Sequence, residues 1–370
     1  MGIRVRKNAQ NIRAKGLVDC VSNHKSNFEQ SKLPIDPTCQ TSSFNKRITF
    51  KKPVVYLIVL LACLGFLLSV TQILGESPDY DNYVIFFDLL RSEGLEALYS
   101  YRFEPGFTIV AFALISLFDS SLLVFSIFVA VLMLMKGWVI DLFSSTRSVF
   151  FVVAVFYFVR YFSLYELTQL RAAFATGFLM FAAAFLWRGK RFYGLLACVA
   201  SILFHMSAVA VIPVLFIQST KRLIVILVGI GIYILVLSGS SFIVNFLPNY
   251  ITVFSDYQQT GFGDIAVNRL APTLLLDWLM IAVSLMLWNN LSSLMKQIVL
   301  LEIIGMAIFY GATDFPVVAH RIREFYSVFW VFFVADGLHR EFVNIPIAGF
   351  VLASIGLYSY LFVFSGNFFH

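Results

Sequence analysis

The sequence predicts an all-α, polytopic bundle of transmembrane helices, and three observations carry that prediction. Hydrophobic residues make up 59% of the 370 and aromatic residues 17%, with Phe alone at 41 positions, while charged side chains are held to 13%. Mean hydropathy is +0.84, which is more apolar surface than a water-soluble core of this length absorbs, so lipid is the solvent. Finally, apolar runs of roughly twenty residues recur, each able to cross ~30 Å of hydrocarbon as a helix at ~1.5 Å per residue. The alternating pattern of a β-barrel strand is not seen.

The elements follow in order. Residues 1–52 hold eleven Lys or Arg against three acids and no apolar run before Pro53. This reads as a disordered basic tail, held at the cytoplasmic face by anionic lipid and not as a cleavable signal peptide. The net charge of +6 is therefore a topology signal and excludes no membrane function; nucleic-acid binding is not expected. From a cytoplasmic tail, the first span, 54–74, exits. Further apolar runs cover 107–118, 122–143, 149–162, 168–187, 192–217, 223–246, 272–288, 296–309, 325–338 and 346–364. The integral membrane domain thus fills 53–370, with extracytoplasmic loops near 75–104 and 247–271.

Charge then sets the parity. The cluster Trp187-Arg188-Gly189-Lys190-Arg191 belongs inside, yet five full crossings before it would place it outside. The 107–118 run is too short to span and is predicted to dip in and return at Asp119-Ser120-Ser121. By the same logic 192–217 is predicted to break at His205 into two half-length helices. Arg188 to Arg191, Lys221-Arg222, Lys296 and His339-Arg340 then all lie inside, giving about nine crossings plus two re-entrant pairs; eleven full spans are the plain alternative.

Several chemistries drop out. Four cysteines, Cys20, Cys39, Cys63 and Cys198, form no CxxC or His/Cys cluster, so neither a disulfide framework nor a metal site is expected. No Walker loop, GxSxG elbow, HExxH or dinucleotide motif is present. The expected activity is independent of metals, nucleotides and cofactors.

What remains is ionic residues gathered on the extracytoplasmic side. Arg171 and Arg321 stand at the mouths of apolar segments, where a guanidinium is costly unless it meets an anion; a flat fork suits phosphate oxygens, and a structural pair with Glu166 or Glu324 is the other reading. His205 stands mid-run at the proposed break, placed to donate to a phosphate or move a proton. The first loop joins Asp81 and Glu104 to Tyr83, and the second carries Tyr257 near Asp256 and Gln258. Carboxylates beside aromatic rings suit sugar binding, and the second loop is long enough to act as a lid. No charged chain through the bilayer centre is apparent, which disfavours a carrier.

Five short motifs, in order, complete the picture: Asp79-Tyr80-Asp81-Asn82-Tyr83, Glu104-Pro105-Gly106-Phe107, Leu170-Arg171-Ala172-Ala173-Phe174-Ala175, Phe204-His205-Met206-Ser207-Ala208 and Arg321-Ile322-Arg323-Glu324-Phe325-Tyr326. Across roughly 54–340 they resemble the EpsG-like group of Wzy-type polysaccharide polymerases, although Ala172 stands where that group often has Gln. The resemblance implies a GT-C-like glycosyltransferase of the bacterial inner membrane. Such an enzyme joins undecaprenyl-pyrophosphate-linked oligosaccharide units into O-antigen or capsule at the periplasmic face, with a chain-length regulator and a flippase as candidate partners. The lipid-linked donor carries its own leaving group. In that setting Arg171 and Arg321, assisted by Arg160 or Arg323, would hold the pyrophosphate, and His205, Asp81 or Glu104 would activate the acceptor. A flippase or transporter and an O-antigen ligase are the alternatives.

Overall fold

The computed structural model describes residues 52–72, 79–100, 103–217, 221–246 and 267–361. The basic tail, most of the second loop with Tyr257, and parts of the first loop lie outside the described residues. Regular structure within them is helical throughout. In chain order these are α1 (Lys52–Thr71), α2 (Tyr80–Glu93), α3 (Pro105–Ile115), α4 (Ser121–Phe143) and α5 (Arg147–Tyr157), which runs through a π-turn at Phe158–Phe162. Then come α6 (Leu170–Leu186), α7 (Arg191–Phe204), α8 (Arg222–Phe246), α9 (Pro272–Met286) and α10 (Ser293–Gly311). The last three are α11 (Pro316–Ser327), α12 (Trp330–Gly337) and α13 (Asn344–Ser359). Among the described residues five helical segments, Val54–Thr71, Ser121–Phe143, Arg147–Tyr165, Arg222–Gly239 and Ser293–Gly311, are long and apolar enough to cross a bilayer, and further apolar helices are shorter. The protein is a multi-pass, all-α membrane protein.

Helix ends follow local chemistry. Ser120, Thr146 and Ser292 accept from the backbone N–H groups of Leu123, Val149 and Met295, removing orphan donors at three N-termini. Pro105, Pro272 and Pro316 open α3, α9 and α11, where a missing N–H costs nothing. The turn between α6 and α7 needs Gly189 at φ 73°; Lys190 N–H there bonds the Phe185 carbonyl at 2.9 Å, closing the helix C-terminus with a left-handed residue.

The breaks position the site. α3 holds 11 residues, about 16 Å of helix, short of the hydrocarbon thickness. α7 stops at Phe204, His205 is extended at φ −161° and ψ 120°, and a 3-10 turn, Met206–Ala210, follows. The 192–217 run is therefore interrupted at His205. A Cβ on Gly106 would stand 2.7 Å from the Leu203 carbonyl oxygen, so α3 and α7 meet backbone to backbone. That contact brings Glu104, at the head of α3, beside the break.

One sequence expectation needs correction. The 325–338 run is not one helix: residues 325–327 end α11, and α12 starts afresh at Trp330. Phe329, Val331 and Phe332 N–H groups bond the carbonyls of Tyr326, Val328 and Phe329, a tight three-residue spacing that an α-helix does not continue. The apolar runs also carry buried charge, with Lys136, Asp277 and Glu302 enclosed within α4, α9 and α10.

Candidate functional site

Glu104 precedes α3 as its N-cap, but its carboxylate makes no hydrogen bond to the helix N-terminus and is free to meet other partners. Three donors converge on that carboxylate. Arg171 Nη1 donates to Oε2 at 2.6 Å, His205 Nδ1 lies 2.8 Å from Oε1, and the Met206 backbone N–H donates to Oε1 at 3.2 Å. The Arg171 guanidinium stacks on the Phe103 ring with its carbon 3.9 Å from the centroid, a cation–π contact. Tyr83 stands within electrostatic reach of Arg171. Tyr83 is in turn buried 5.6–5.8 Å from the rings of Phe103, Phe107 and Phe125. The side chains of Glu104, Arg171 and His205 keep 11–15% of their exposure, so the cluster is sheltered but reachable.

Burial alone would raise the Glu104 carboxyl, but the His205 hydrogen bond and the Arg171 charge outweigh it and hold it down at about 2. Glu104 is thus an anion at any working pH and can only accept. It follows that Nδ1 of His205 carries the proton and Nε2 keeps its lone pair. Burial lowers the basicity of His205, the Glu104 contact opposes this, and the Arg171 and Arg321 charges lower it further. A neutral imidazole with a free Nε2 beside a fixed carboxylate is an arrangement suited to general-base work.

Arg321 stands close enough to weigh on His205. Among the described residues it makes no hydrogen bond or ion pair, so its donors remain uncommitted. Arg171 keeps a buried Nε without a partner among the described residues. Two guanidiniums therefore act on His205, that of Arg321 with its donors uncommitted, an arrangement suited to a phosphate-bearing ligand.

Arg160 and Arg323 are placed differently. Both bind Asp277: Arg160 Nη2 meets Oδ1 at 2.5 Å, and Arg323 Nη2 takes Oδ2. Arg160 is 1% exposed and Asp277 0%, and the Arg160 guanidinium is ringed by Phe156, Tyr161, Phe350 and Tyr358 at 5.3–5.7 Å. A second buried pair, Lys136 Nζ to Glu166 Oε1 at 2.6 Å, also receives the Tyr157 hydroxyl at 2.7 Å. The Arg171–Glu166 and Arg321–Glu324 pairings open to a sequence reader are not formed as ion pairs among the described residues; Glu104 takes the first partner's place.

Of the residues singled out from sequence, then, the structure brings together Glu104, Arg171, His205, Tyr83 and Arg321. Asp81 is exposed in the first turn of α2 and does not join them, and Tyr257 lies outside the described residues. Sequence reasoning missed Phe103, the Met206 N–H and, above all, Asp277. An acid in the middle of the 272–288 apolar run was the available signal, since such a residue is expensive without a partner.

The EpsG family model matches residues 46–369, while no curated protein and no solved structure gives a match. The matched span takes in every helix described above together with the Glu104–Arg171–His205 cluster, and the chain belongs to the EpsG family of polysaccharide-polymerase-type membrane proteins.

Proposed function

We propose that this protein is a membrane glycosyltransferase that polymerises undecaprenyl-pyrophosphate-linked oligosaccharide units into surface polysaccharide, O-antigen or capsule, at the periplasmic face of the bacterial inner membrane, with its N-terminus cytoplasmic. The observation that carries this reading is the grip of Arg171, His205 and the Met206 N–H on one carboxylate at a helix break, with Arg321 uncommitted alongside. In the transfer, the acceptor hydroxyl oxygen attacks the anomeric carbon and the bond from that carbon to the phosphate oxygen breaks. The acceptor proton passes to His205 Nε2, and the carrier diphosphate leaves with the bonding electron pair. Glu104 orients the imidazole and stabilises it once charged. Arg321 and the spare donors of Arg171 hold the diphosphate as its charge grows.

The test is disappearance of lipid-linked repeat units into polymer by the purified, reconstituted protein, with His205→Ala as the variant. We expect at least a 100-fold loss of rate at normal membrane abundance, the range for a general base. In the wild type, protonating His205 removes the base. The rate therefore falls as pH falls, with an inflection below the ordinary histidine value because burial and the two arginines disfavour the cation. A His205→Ala protein as active as wild type removes the imidazole from the chemistry.

A carrier reading has one observation in its favour, the charges within the bundle at Lys136, Glu166, Arg160, Asp277 and Arg323. Each is paired with another, which is how a structural lock is built. Relocation of lipid-linked sugar without bond formation would favour the carrier, and transfer of finished chains to another lipid would favour a ligase.

A further inference from the structure

We infer that Tyr326 is a positioning residue for the transfer: its hydroxyl ties α11, which carries Arg321, to the chain break that presents His205. This rests on the reading of His205 as the base and Arg321 as a diphosphate ligand. The need for a tie arises in the break itself. In the 3-10 turn Met206–Ala210 a carbonyl looks to the N–H three residues on, and the His205 and Ala208 carbonyls find theirs on Ala208 and Val211, both at 3.1 Å. The Ala210 carbonyl cannot, because the residue three further on is Pro213, which has no N–H. The next donor along, the Val214 N–H, bonds the Val211 carbonyl at 3.0 Å. The Tyr326 hydroxyl takes the vacant place, donating to the Ala210 carbonyl oxygen at 2.6 Å.

The neighbouring residue reaches the other end of the same break. Phe325 is buried and sets its ring 5.5 Å from the His205 ring, centroid to centroid, so residues 325 and 326 hold both the imidazole and the last residue of the turn. Arg321 precedes Phe325 by four residues and shares its face of α11, one turn away. The register of α11 against the break therefore fixes how far the guanidinium lies from the imidazole. Tyr326 has little slack of its own: a Cβ on Gly305 would come within 2.6 Å of the Tyr326 Cβ, which puts the α10 backbone directly behind it. Other bonds hold α11 to the rest of the bundle, Arg323 to Asp277 and the Tyr161 hydroxyl to the Ser327 carbonyl. Removing the Tyr326 hydroxyl leaves those in place and frees the register against His205.

The test is steady-state transfer by the full-length protein in lipid nanodiscs, as wild type and Tyr326→Phe, with lipid-linked repeat units extracted from cells that lack the protein. The ring stays and the hydroxyl goes. We expect kcat to fall about tenfold at a donor KM within about twofold of wild type, because the diphosphate is still bound but no longer aligned with the base. Adding Pro213→Ala to Tyr326→Phe separates alignment from mere satisfaction of a buried carbonyl, since the alanine N–H gives Ala210 a backbone donor but no tie to α11. Thermal stability should then return toward wild type while kcat stays low. In an Arg321→Ala background, loss of the hydroxyl should cost less than about twofold, because no guanidinium is left to place. A wild-type kcat in Tyr326→Phe, recovery of kcat on adding Pro213→Ala, or an equal loss in the Arg321→Ala background overturns the role of Tyr326 and leaves the transferase reading intact. Absence of transfer by the wild type overturns that reading and this role with it.

Discussion

Arg171→Ala should abolish long-chain polymer, with a rate loss on the order of 100- to 1000-fold in a reconstituted assay, the range for removing one preorganised donor aimed at developing charge. The effect has two sources in the geometry. The first is loss of a guanidinium whose charge acts on His205. The second is indirect: without the 2.6 Å bond to Arg171, Glu104 keeps only His205 and the Met206 N–H, and the carboxylate that holds the imidazole is itself released. Arg171→Lys separates these sources, because an ammonium restores a point charge but neither the planar fork nor the stack on Phe103. We expect Arg171→Lys to keep normal abundance and remain at least tenfold impaired. Polymer of normal length from Arg171→Ala would remove this residue from the site.

The largest effect on the fold should come from Asp277→Ala. Two guanidiniums would then lose the carboxylate that bridges them, a loss of about 3–5 kcal/mol for breaking a buried pair from one side. That is a large part of the ~5–15 kcal/mol by which folded proteins ordinarily persist. Asp277 ties α9 to the π-turn through Arg160 and to α11 through Arg323, so its removal loosens three elements together. Thermal unfolding in detergent and the amount of protein in the membrane are the readouts. Asp277→Asn, which retains one acceptor oxygen without the charge, should fall between wild type and alanine. Wild-type thermal stability in Asp277→Ala would show that the pair contributes nothing to cohesion. Since the opposite face of α11 presents Arg321, activity should decline with the fold and not before it.

How much of this could be read in advance follows from the kind of signal each feature leaves. Long apolar runs became helices because hydrocarbon permits little else, and the break at His205 was legible from parity: a basic cluster on the wrong side demanded a chain reversal. The end of α11 was not legible. Residues 325–338 are apolar apart from Ser327 and Asp336, and nothing in hydropathy marks a helix that closes on three-residue spacing and restarts. Glu104 in the first loop and His205 in the middle of an apolar run stood out as polar residues, but their union depends on Gly106 lying against the Leu203 carbonyl, a tertiary contact. The sorting of four arginines into two bound to Asp277, one clasped by Glu104 and one uncommitted depends on partners 67–117 residues away in sequence, or 46 in the case of Arg323. Charge counting sees only that such cations must be satisfied.

The wide turn at Phe158–Phe162 holds one residue more than an α-helical turn would. Straightening it into ordinary helix would swing everything on one side by about 100° relative to the other. The guanidinium that now meets Asp277 would point elsewhere on the cylinder, away from that carboxylate. A single surplus peptide unit thus decides which way a costly cation faces, and the length of this segment is constrained as tightly as its composition.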